Sequence, residues 1–444
     1  MTITADSSLP IPRVELLRRL RQVLPSDSIV EEPESQRPFE CDALMIYREL
    51  PLLVILPATV AQVQDVLRIC HQLNVPVVAR GSGTGLCAGA MPHPEGVLLG
   101  LSKLDRIMDI DPLARTARVQ SGVSNLSISD AAARYGLYYA PDPSSQIACS
   151  IGGNVAENAG GVHCLKYGLT VHNILSLELL TVEGERLTVG SMGLDSPGYD
   201  LMALLTGAEG LLGVVTEVTV RLLPSPELAH VVMAGYPRDA EAVLLCEVDG
   251  TREEVTGHTA KVATLFKELG ASSLKISQNE AERALLWKGR KSAFPAVGRL
   301  APDYLCMDGT IPRSQVSVVL NEISRLSREY NLRVANVFHA GDGNLHPLIL
   351  YDASDPREVR KAEEFGGKIL ELSVRVGGCI TGEHGVSLEK LRQMPSQFSA
   401  AELLQFEEIK HAFDPALTLN PGKGVPILKR CQEYRALPAR HQHD

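Results

Sequence analysis

An α+β chain in two parts is predicted, and three observations predict it. A strand–helix–strand pattern over 51–80 runs directly into a glycine loop, Pro224-Ser225-Pro226 marks a boundary, and β and α signals alternate beyond it as far as residue 376. At roughly 150 residues per domain, 444 residues make two or three domains with a sizeable core. Apolar residues are 45% and charged residues 22%, an ordinary globular balance that excludes a disordered or fibrous chain.

Residues 13–24, RVELLRRLRQVL, predict an amphipathic helix. PLLVILPAT is a short apolar run bounded by prolines, a strand. Thr59 then caps AQVQDVLRICHQLN, whose Val63, Val66, Leu67 and Cys70 fall on one helical face. VPVVAR (75–80) is a second buried strand and completes an α/β unit. GVLLGL (96–101) is a strand, 105–122 reads as a β-ladder and 126–135 as a helix. HNILSLELLTVEGERLTV (172–189) predicts a hairpin turning near Glu183-Gly184. A helix over 200–206 precedes TGAEGLLGVVTEVTVRLLP, read as loop, short helix and strand. Past the boundary, a compact α+β layer is predicted from AEAVLLCEVDG (240–250), helices over 257–270 and 279–288, LCMDGTIP (305–312), a helix over 314–330, RVANVFHAG (333–341), HPLILYD (346–352) and a helix over 356–376. The closing LLQFEEIKHAFDPALTLNPGKG reads as loop, and no internal repeat is present.

Lys and Arg number 43 against 53 Asp and Glu, a net charge of −10. Nucleic-acid binding wants a basic face, and no Lys/Arg cluster offers itself to anionic lipid. The nine cysteines are scattered, with no C-x-x-C pair. They read as small buried hydrophobes in a reducing compartment, and their spacing does not suit an iron–sulfur cluster. MTITADSSLPIPR lacks signal-peptide character, and no apolar run is long enough to span a membrane, so a cytoplasmic location is expected.

The 37 glycines cluster. Arg80-Gly81-Ser82-Gly83-Thr84-Gly85 follows a buried strand, where successive N–H groups can turn inward around an anion. A tight turn is the alternative: no G-K-[ST] follows, and Leu86 stands where a G-x-G-x-x-G would have its third glycine. Ser150-Ile151-Gly152-Gly153-Asn154 with Asn158-Ala159-Gly160-Gly161 forms a second cluster, and Gly207-Ala208-Glu209-Gly210 with Gly213 a third. Three clusters in one α/β region suit a large nucleotide with a long contact path, and FAD fits better than a mononucleotide. The turn Pro141-Asp142-Pro143-Ser144-Ser145 between them would supply a rigid wall.

His339 and His346 flank a glycine-rich turn that can bring two imidazoles together from adjacent strands, and Glu383 and His384 sit between glycines in GEHG. Two His and a carboxylate with open positions describe a catalytic divalent-metal site. Polar residues closing turns is the other reading. Arg290, in Trp287-Lys288-Gly289-Arg290-Lys291, is either a bidentate carboxylate clamp or part of a solvated helix face. Trp287 reads as packing, and His441 and His443 as tail residues.

PLLVILPATVAQV, VVARGSGTGLCAGA, YYAPDPSSQIACSIGGNVAENAGGVHCLKYGLTVHN, LTGAEGLLGVVTEVTVRLLP, GDGNLHP, GEHGV and LNPGKG together resemble the FAD-linked oxidases of the vanillyl-alcohol-oxidase type. Within these the chain is most similar to the FAD-linked subunits of bacterial glycolate oxidases. The resemblance covers nearly the whole chain and is most specific over 139–173. It implies a two-part PCMH-type FAD-binding domain with an α+β cap: an N-terminal segment 1–50, the FAD-binding domain 51–224, a shortened cap 225–411 carrying substrate and metal residues, and a segment 412–444 returning to the flavin. It assigns to the FAD path Arg80 to Gly85, Pro141, Asp142, Ser144, Ser145, Gly152 to Asn154, Asn158, Gly160, Gly161, Glu209, Gly210, Gly213 and Val214, with Asn420 of LNPGKG near the ring. Covalent attachment is not expected, because the glycine loop has no His where covalent relatives carry one.

The same resemblance implies His339, His346 and Glu383 as metal ligands, His384 as base and Arg290 as carboxylate clamp. The metal implied is Zn²⁺, with Mn²⁺ or Fe²⁺ as alternatives. The reaction implied is FAD-dependent oxidation of glycolate, and of D-lactate, to the 2-oxo acid. Electrons would pass through a second flavin-type subunit and an iron–sulfur subunit to membrane quinone, with membrane attachment only through these partners. Two departures matter. Cys306 and Leu348 stand where hydroxyglutarate-type relatives carry Lys and Asn, which favours a small substrate. The join from Pro224 to Tyr236 is several tens of residues shorter than in the family, so an exposed sheet edge is expected. The alternatives are a stand-alone D-lactate or D-2-hydroxyglutarate dehydrogenase, and a truncated, inactive flavin-binding subunit.

Overall fold

The computed structural model describes residues 13–193, 198–235 and 242–426. They fall into two compact units, one joining the chain up to Leu223 with the chain from Asp303 onward, the other spanning Pro224–Pro302. The unit boundary coincides with the proline pair at 224 and 226. The stretch expected as one cap, 225–411, is divided between the units at 302/303.

The larger unit begins with α1 (Arg13–Val23), β1 (Ile29–Val30), β2 (Leu53–Ile55), α2 (Val60–Gln72), β3 (Val77–Arg80) and β4 (Val97–Gly100). The strands order β1-β2-β4-β3, with β2, β4 and β3 parallel. Parallel strands are covered on both faces, which is why these runs are apolar throughout. Val63, Val66, Leu67 and Cys70 of α2 join Leu16 and Leu20 of α1 on one face, while Val54, Val78 and Leu98 pack on the other. The Thr59 side chain accepts from the N–H of Gln62, the predicted cap.

Next come β5 (Ile107–Asp111), β6 (Thr116–Gln120), α3 (Asn125–Ala132), α4 (Ile151–Glu157), β7 (Ile174–Leu180), β8 (Arg186–Gly190), α5 (Leu201–Leu205) and β9 (Val214–Arg221). These five strands form an antiparallel sheet, β5-β6-β9-β7-β8. Ala117, Val119, Leu177 and Val218 face α3 and α4, whereas Arg118 spans Glu178 and Glu217 on the outer face. Residues 206–213 form turns, not the short helix expected. Positive φ at Gly207, Glu209 and Gly210 interrupts any helix there.

In the smaller unit, β10 (Leu228–Ala234) is central in a three-stranded sheet between β11 (Leu244–Gly250) and β12 (Leu274–Ile276), with α6 (Arg252–Glu268) and α7 (Glu280–Lys291) alongside. β10 lies in the shortened join between Pro224 and Tyr236, where no strand is predicted from the sequence. α6 starts five residues before the expected 257, because Thr251 and Glu254 form a capping box. Among the described residues β11 pairs on one side only; its first residue, Leu244, is 42% exposed, and Val243 before it is 55% exposed. Trp287 and Arg283 both donate to the Glu247 carboxylate, so the single Trp holds α7 to the sheet.

The larger unit resumes with β13 (Asp303–Cys306), α8 (Val316–Tyr330), β14 (Val334–Asn336), β15 (Pro347–Tyr351), α9 (Pro356–Arg375) and α10 (Ala400–Phe413). β15 lies between β13 and β14, and Phe365 and Ile369 of α9 bury against Leu305 and Ile349. α10 corrects the loop expected at 403–413: Ser399 and Glu402 form a capping box that opens it. The chain then returns to β3, where Val77 donates to Thr418 O and Asn420 donates to Val77 O. Buried Lys410 pins this return, bonding Asp414 and the carbonyls of Leu211 and Leu419.

Candidate active site and metal centre

The turn His339–Asn344 closes on itself: His339 N–H donates to Asn344 O, and Gly343 N–H to His339 O. Two residues later His346 stands immediately before β15, so both imidazoles reach one place. Their rings lie edge to face with centroids 5.1 Å apart. Glu383 Oε1 sits 3.0 Å from His346 Nε2 and 3.3 Å from His339 Nε2, and its Oε2 accepts from the Gly160 N–H at 3.1 Å. Ligand atoms of His339, His346 and Glu383 all lie within 4.8 Å of one another. Burial alone would raise the Glu383 carboxyl, but hydrogen bonds and charge from the two histidines hold it below the usual carboxylate range. Two imidazoles aimed at one carboxylate oxygen in a buried site fit a divalent cation, which would replace their protons.

His384 stacks on His346 with centroids 4.9 Å apart and planes 12° from parallel. Burial, with the charges of His346 and Lys390, pushes its imidazole down to about 4 against the opposing pull of Asp308. At neutral pH it is therefore an unprotonated ring, able to accept a proton.

The loop carrying Glu383 and His384 is held from two sides, by Asp308, which the sequence reading passed over, and by Glu209, which it placed on the FAD path. Asp308, fully buried, accepts the N–H groups of Gly382, Glu383 and His384, the Thr381 hydroxyl and the Lys390 ammonium. Burial would raise its carboxyl, but the charges that His384, Lys390 and His346 carry at the low pH where it would take a proton hold it well below the usual range. Across the loop, Glu209 accepts from the N–H groups of Val386 and Ser387 at 2.7 and 2.8 Å. A charge ending an apolar strand, as in YLCMD, is the sequence signal for a buried organising carboxylate. Gly385, at φ +85°, fits between; a Cβ there would stand 2.2 Å from Glu157 Oε2.

The glycine clusters come together. A Cβ on Gly81 would meet Ser150 Oγ at 2.2 Å, so the 80–85 loop lies against the start of α4. Arg80 anchors that loop through Cys41 O, and Gly85 O accepts from Ala43 N–H. Asn154 accepts from Asn125, which also donates to Pro141 O, and Asp142 pairs with His163 at 2.9 Å. Ser144 and Ser145 lie in the turn that follows, and Asn158 Oδ1 accepts from Val171 N–H. Gly207 and Glu209 donate to Val155 O and Ala156 O, while Gly213 and Val214 lead into β9. Asn420 Nδ2 donates to Gly89 O and Glu209 O. Asn420 Oδ1 and Ser121 Oγ are buried without a hydrogen-bond partner among the described residues. Loops packed too closely for a Cβ and two unanswered polar atoms fit a dinucleotide lying along them. Arg290 lies on α7 of the smaller unit, its guanidinium 6.0 Å from the Phe294 ring centroid.

Residues 51–190 match a family model described as FAD binding domain, and residues 213–424 match one described as FAD linked oxidases, C-terminal domain. The chain is 53% identical to the glycolate oxidase subunit GlcD of Escherichia coli, covering 99% of this chain and 96% of that protein. The alignment runs over 481 positions, 37 more than the 444 residues of this chain, so the relative carries positions with no counterpart here. D-lactate dehydrogenase of Archaeoglobus fulgidus is 31% identical over 84% of this chain and 91% of its own. Among solved structures, p-cresol methylhydroxylase with substrate bound aligns with a TM-score of 0.77 at 19% identity, covering 93% of this chain and 96% of that one, a likeness of fold. No helix among the described residues is long and apolar enough to cross a membrane.

Proposed function

Because the chain belongs to the family of FAD-linked oxidases and is an FAD-linked dehydrogenase, we propose that it oxidises a small 2-hydroxy acid, glycolate first and D-lactate second, to the 2-oxo acid. The observation that carries the reading is the convergence of His339, His346 and Glu383 beside the glycine loop at Gly160, with His384 stacked on His346. His384, neutral at working pH, takes the hydroxyl proton. Asp308 and Glu209 hold the loop so that the imidazole keeps its place, and burial keeps bulk water from competing for that proton. Arg290 is proposed, on guanidinium chemistry alone, to bind the substrate carboxylate bidentately. FAD, when bound, supplies the acceptor for the hydride equivalent that leaves C2. A divalent cation held by His339, His346 and Glu383, Zn²⁺ by ligand type with Mn²⁺ or Fe²⁺ as alternatives, would polarise the hydroxyl. Cys306 and Leu348 leave no polar partner for a second carboxylate, which supports a small substrate.

We further read the chain as the FAD subunit of a complex, in line with the subunit name of its Escherichia coli relative. A second flavin-type subunit and an iron–sulfur subunit would receive the electrons for quinone, with the complex cytoplasmic or at the inner membrane through those partners. Anaerobic titration of the purified FAD-loaded protein with glycolate, D-lactate and D-2-hydroxyglutarate tests the reaction. Bleaching of the flavin by glycolate is expected, and stronger bleaching by another acid reassigns the substrate. A second reading, an inactive flavin-binding subunit, is favoured by the 37 surplus positions of the alignment and predicts no bleaching by any of the three.

A further inference from the structure

The geometry points to a second metal-binding position, formed by Cys306, His346 and His384, that takes a thiophilic divalent cation and switches the site off. One ligand atom from each of the three residues lies within 4.8 Å of the others. A tetrahedral ion with bonds of about 2.0–2.3 Å sets its donor atoms roughly 3.3–3.6 Å apart, so a contraction of about 1 Å completes the set. Cys306 ends β13 and is 2% exposed, His346 is equally buried, and the His346 and His384 rings already stack at 4.9 Å. The Nδ1 of His384 is buried with no hydrogen-bond partner among the described residues, a lone pair or proton without an answer.

The two triads differ in one kind of donor. His339, His346 and Glu383 offer nitrogen and oxygen, which suit Mn²⁺ or Zn²⁺, whereas the thiol of Cys306 adds the sulfur that soft ions prefer. His346 belongs to both, its Nε2 facing Glu383 and its Nδ1 facing the Met307 carbonyl beside Cys306, so a soft ion that contracts the sulfur set turns the ring away from the carboxylate set. His384 is then a ligand, and its lone pair is no longer available to a substrate proton. The inhibitory half of the inference rests on the reading of His384 as base; sulfur ligation does not.

The test loads the full-length FAD protein with Mn²⁺ and then adds Cd²⁺. X-ray absorption at the cadmium edge should show a sulfur neighbour in wild type and none in Cys306→Ser. The paramagnetic resonance of free Mn²⁺ should grow as Cd²⁺ displaces it from wild type. Cd²⁺ inhibition of glycolate-driven flavin reduction, relative to each protein's own rate without Cd²⁺, should be at least 10-fold weaker in Cys306→Ser. A nitrogen-and-oxygen shell in wild type overturns the site, as does sulfur that persists in Cys306→Ser. Sulfur ligation without Mn²⁺ release overturns the switch. If glycolate never reduces the flavin, the substrate reading fails, and the cadmium shell and Mn²⁺ release still decide this inference.

Discussion

Lys390 donates to Asp308 Oδ2 at 2.9 Å, and neither side chain has any exposed surface. The same carboxylate accepts three consecutive backbone N–H groups of the loop that carries Glu383 and His384. Removing one partner of a buried ion pair leaves the other charge uncompensated and costs roughly 3–5 kcal/mol. Asp308→Asn should therefore lower the unfolding free energy by about that amount and abolish flavin reduction by glycolate. Urea unfolding of the purified variant checks it: a loss under about 1 kcal/mol would show that the pair does not hold the loop.

Gly385 sits at φ +85°, with Glu157 and Glu209 where a side chain would go. An L-residue in that conformation costs about 1–2 kcal/mol before any contact is counted. Gly385→Ala should cost at least about 2 kcal/mol and slow flavin reduction by more than it weakens FAD binding. Thermal unfolding with a flavin-release assay tests this, and a variant as stable and as fast as wild type would remove the close packing from the account.

Local chemistry was legible where one element explains itself. The spacing that marks the apolar face of α2, its Thr59 cap and the turn at Gly184 are each written in residues a few positions apart. α10 was missed although Ser399 and Glu402 carry a capping box, because the apolar run around it suggested no single face. β10 was missed because its pairing partners, β11 and β12, lie beyond its own flanking residues. In the site, the approach of His339 to His346 follows from one short turn. The approach of Glu383 does not, since it depends on Asp308, 75 residues away along the chain, and on Glu209, 177 residues from Val386. Spacing also says nothing about how far Arg290 stands from any of them.

If His339, His346 and Glu383 hold a catalytic cation, chelation should remove activity and leave the flavin in place. Dialysis against a chelator is expected to cut glycolate-driven reduction at least about 100-fold, with Zn²⁺ or Mn²⁺ restoring it. His339→Ala should do the same without rescue, and His384→Ala should lose roughly 10²–10⁴-fold while keeping metal and FAD. Elemental analysis beside the absorption spectrum separates these cases. Full activity in protein shown to be metal-free would end the metal assignment.

Glu389 is buried next to Lys390, yet neither of its oxygens has a hydrogen-bond partner among the described residues. Burial pushes its carboxyl up to about 7, against the smaller opposing pull of Lys390. A carboxyl raised on folding is bound to its proton in the native state and has lost it in the unfolded chain. Stability from this group is thus fully present below about 4.5 and falls as pH rises through about 7. At 1.36 kcal/mol per pH unit the loss over that window is about 3 kcal/mol. Glu389→Gln keeps the shape and the neutral charge state and removes the titration, so the unfolding free energy of the variant should be flatter between pH 4.5 and 7 and exceed that of wild type at pH 7.5. Denaturant unfolding across that range decides the matter; parallel profiles for the two proteins would show that Glu389 is already ionised in the native state, compensated by Lys390.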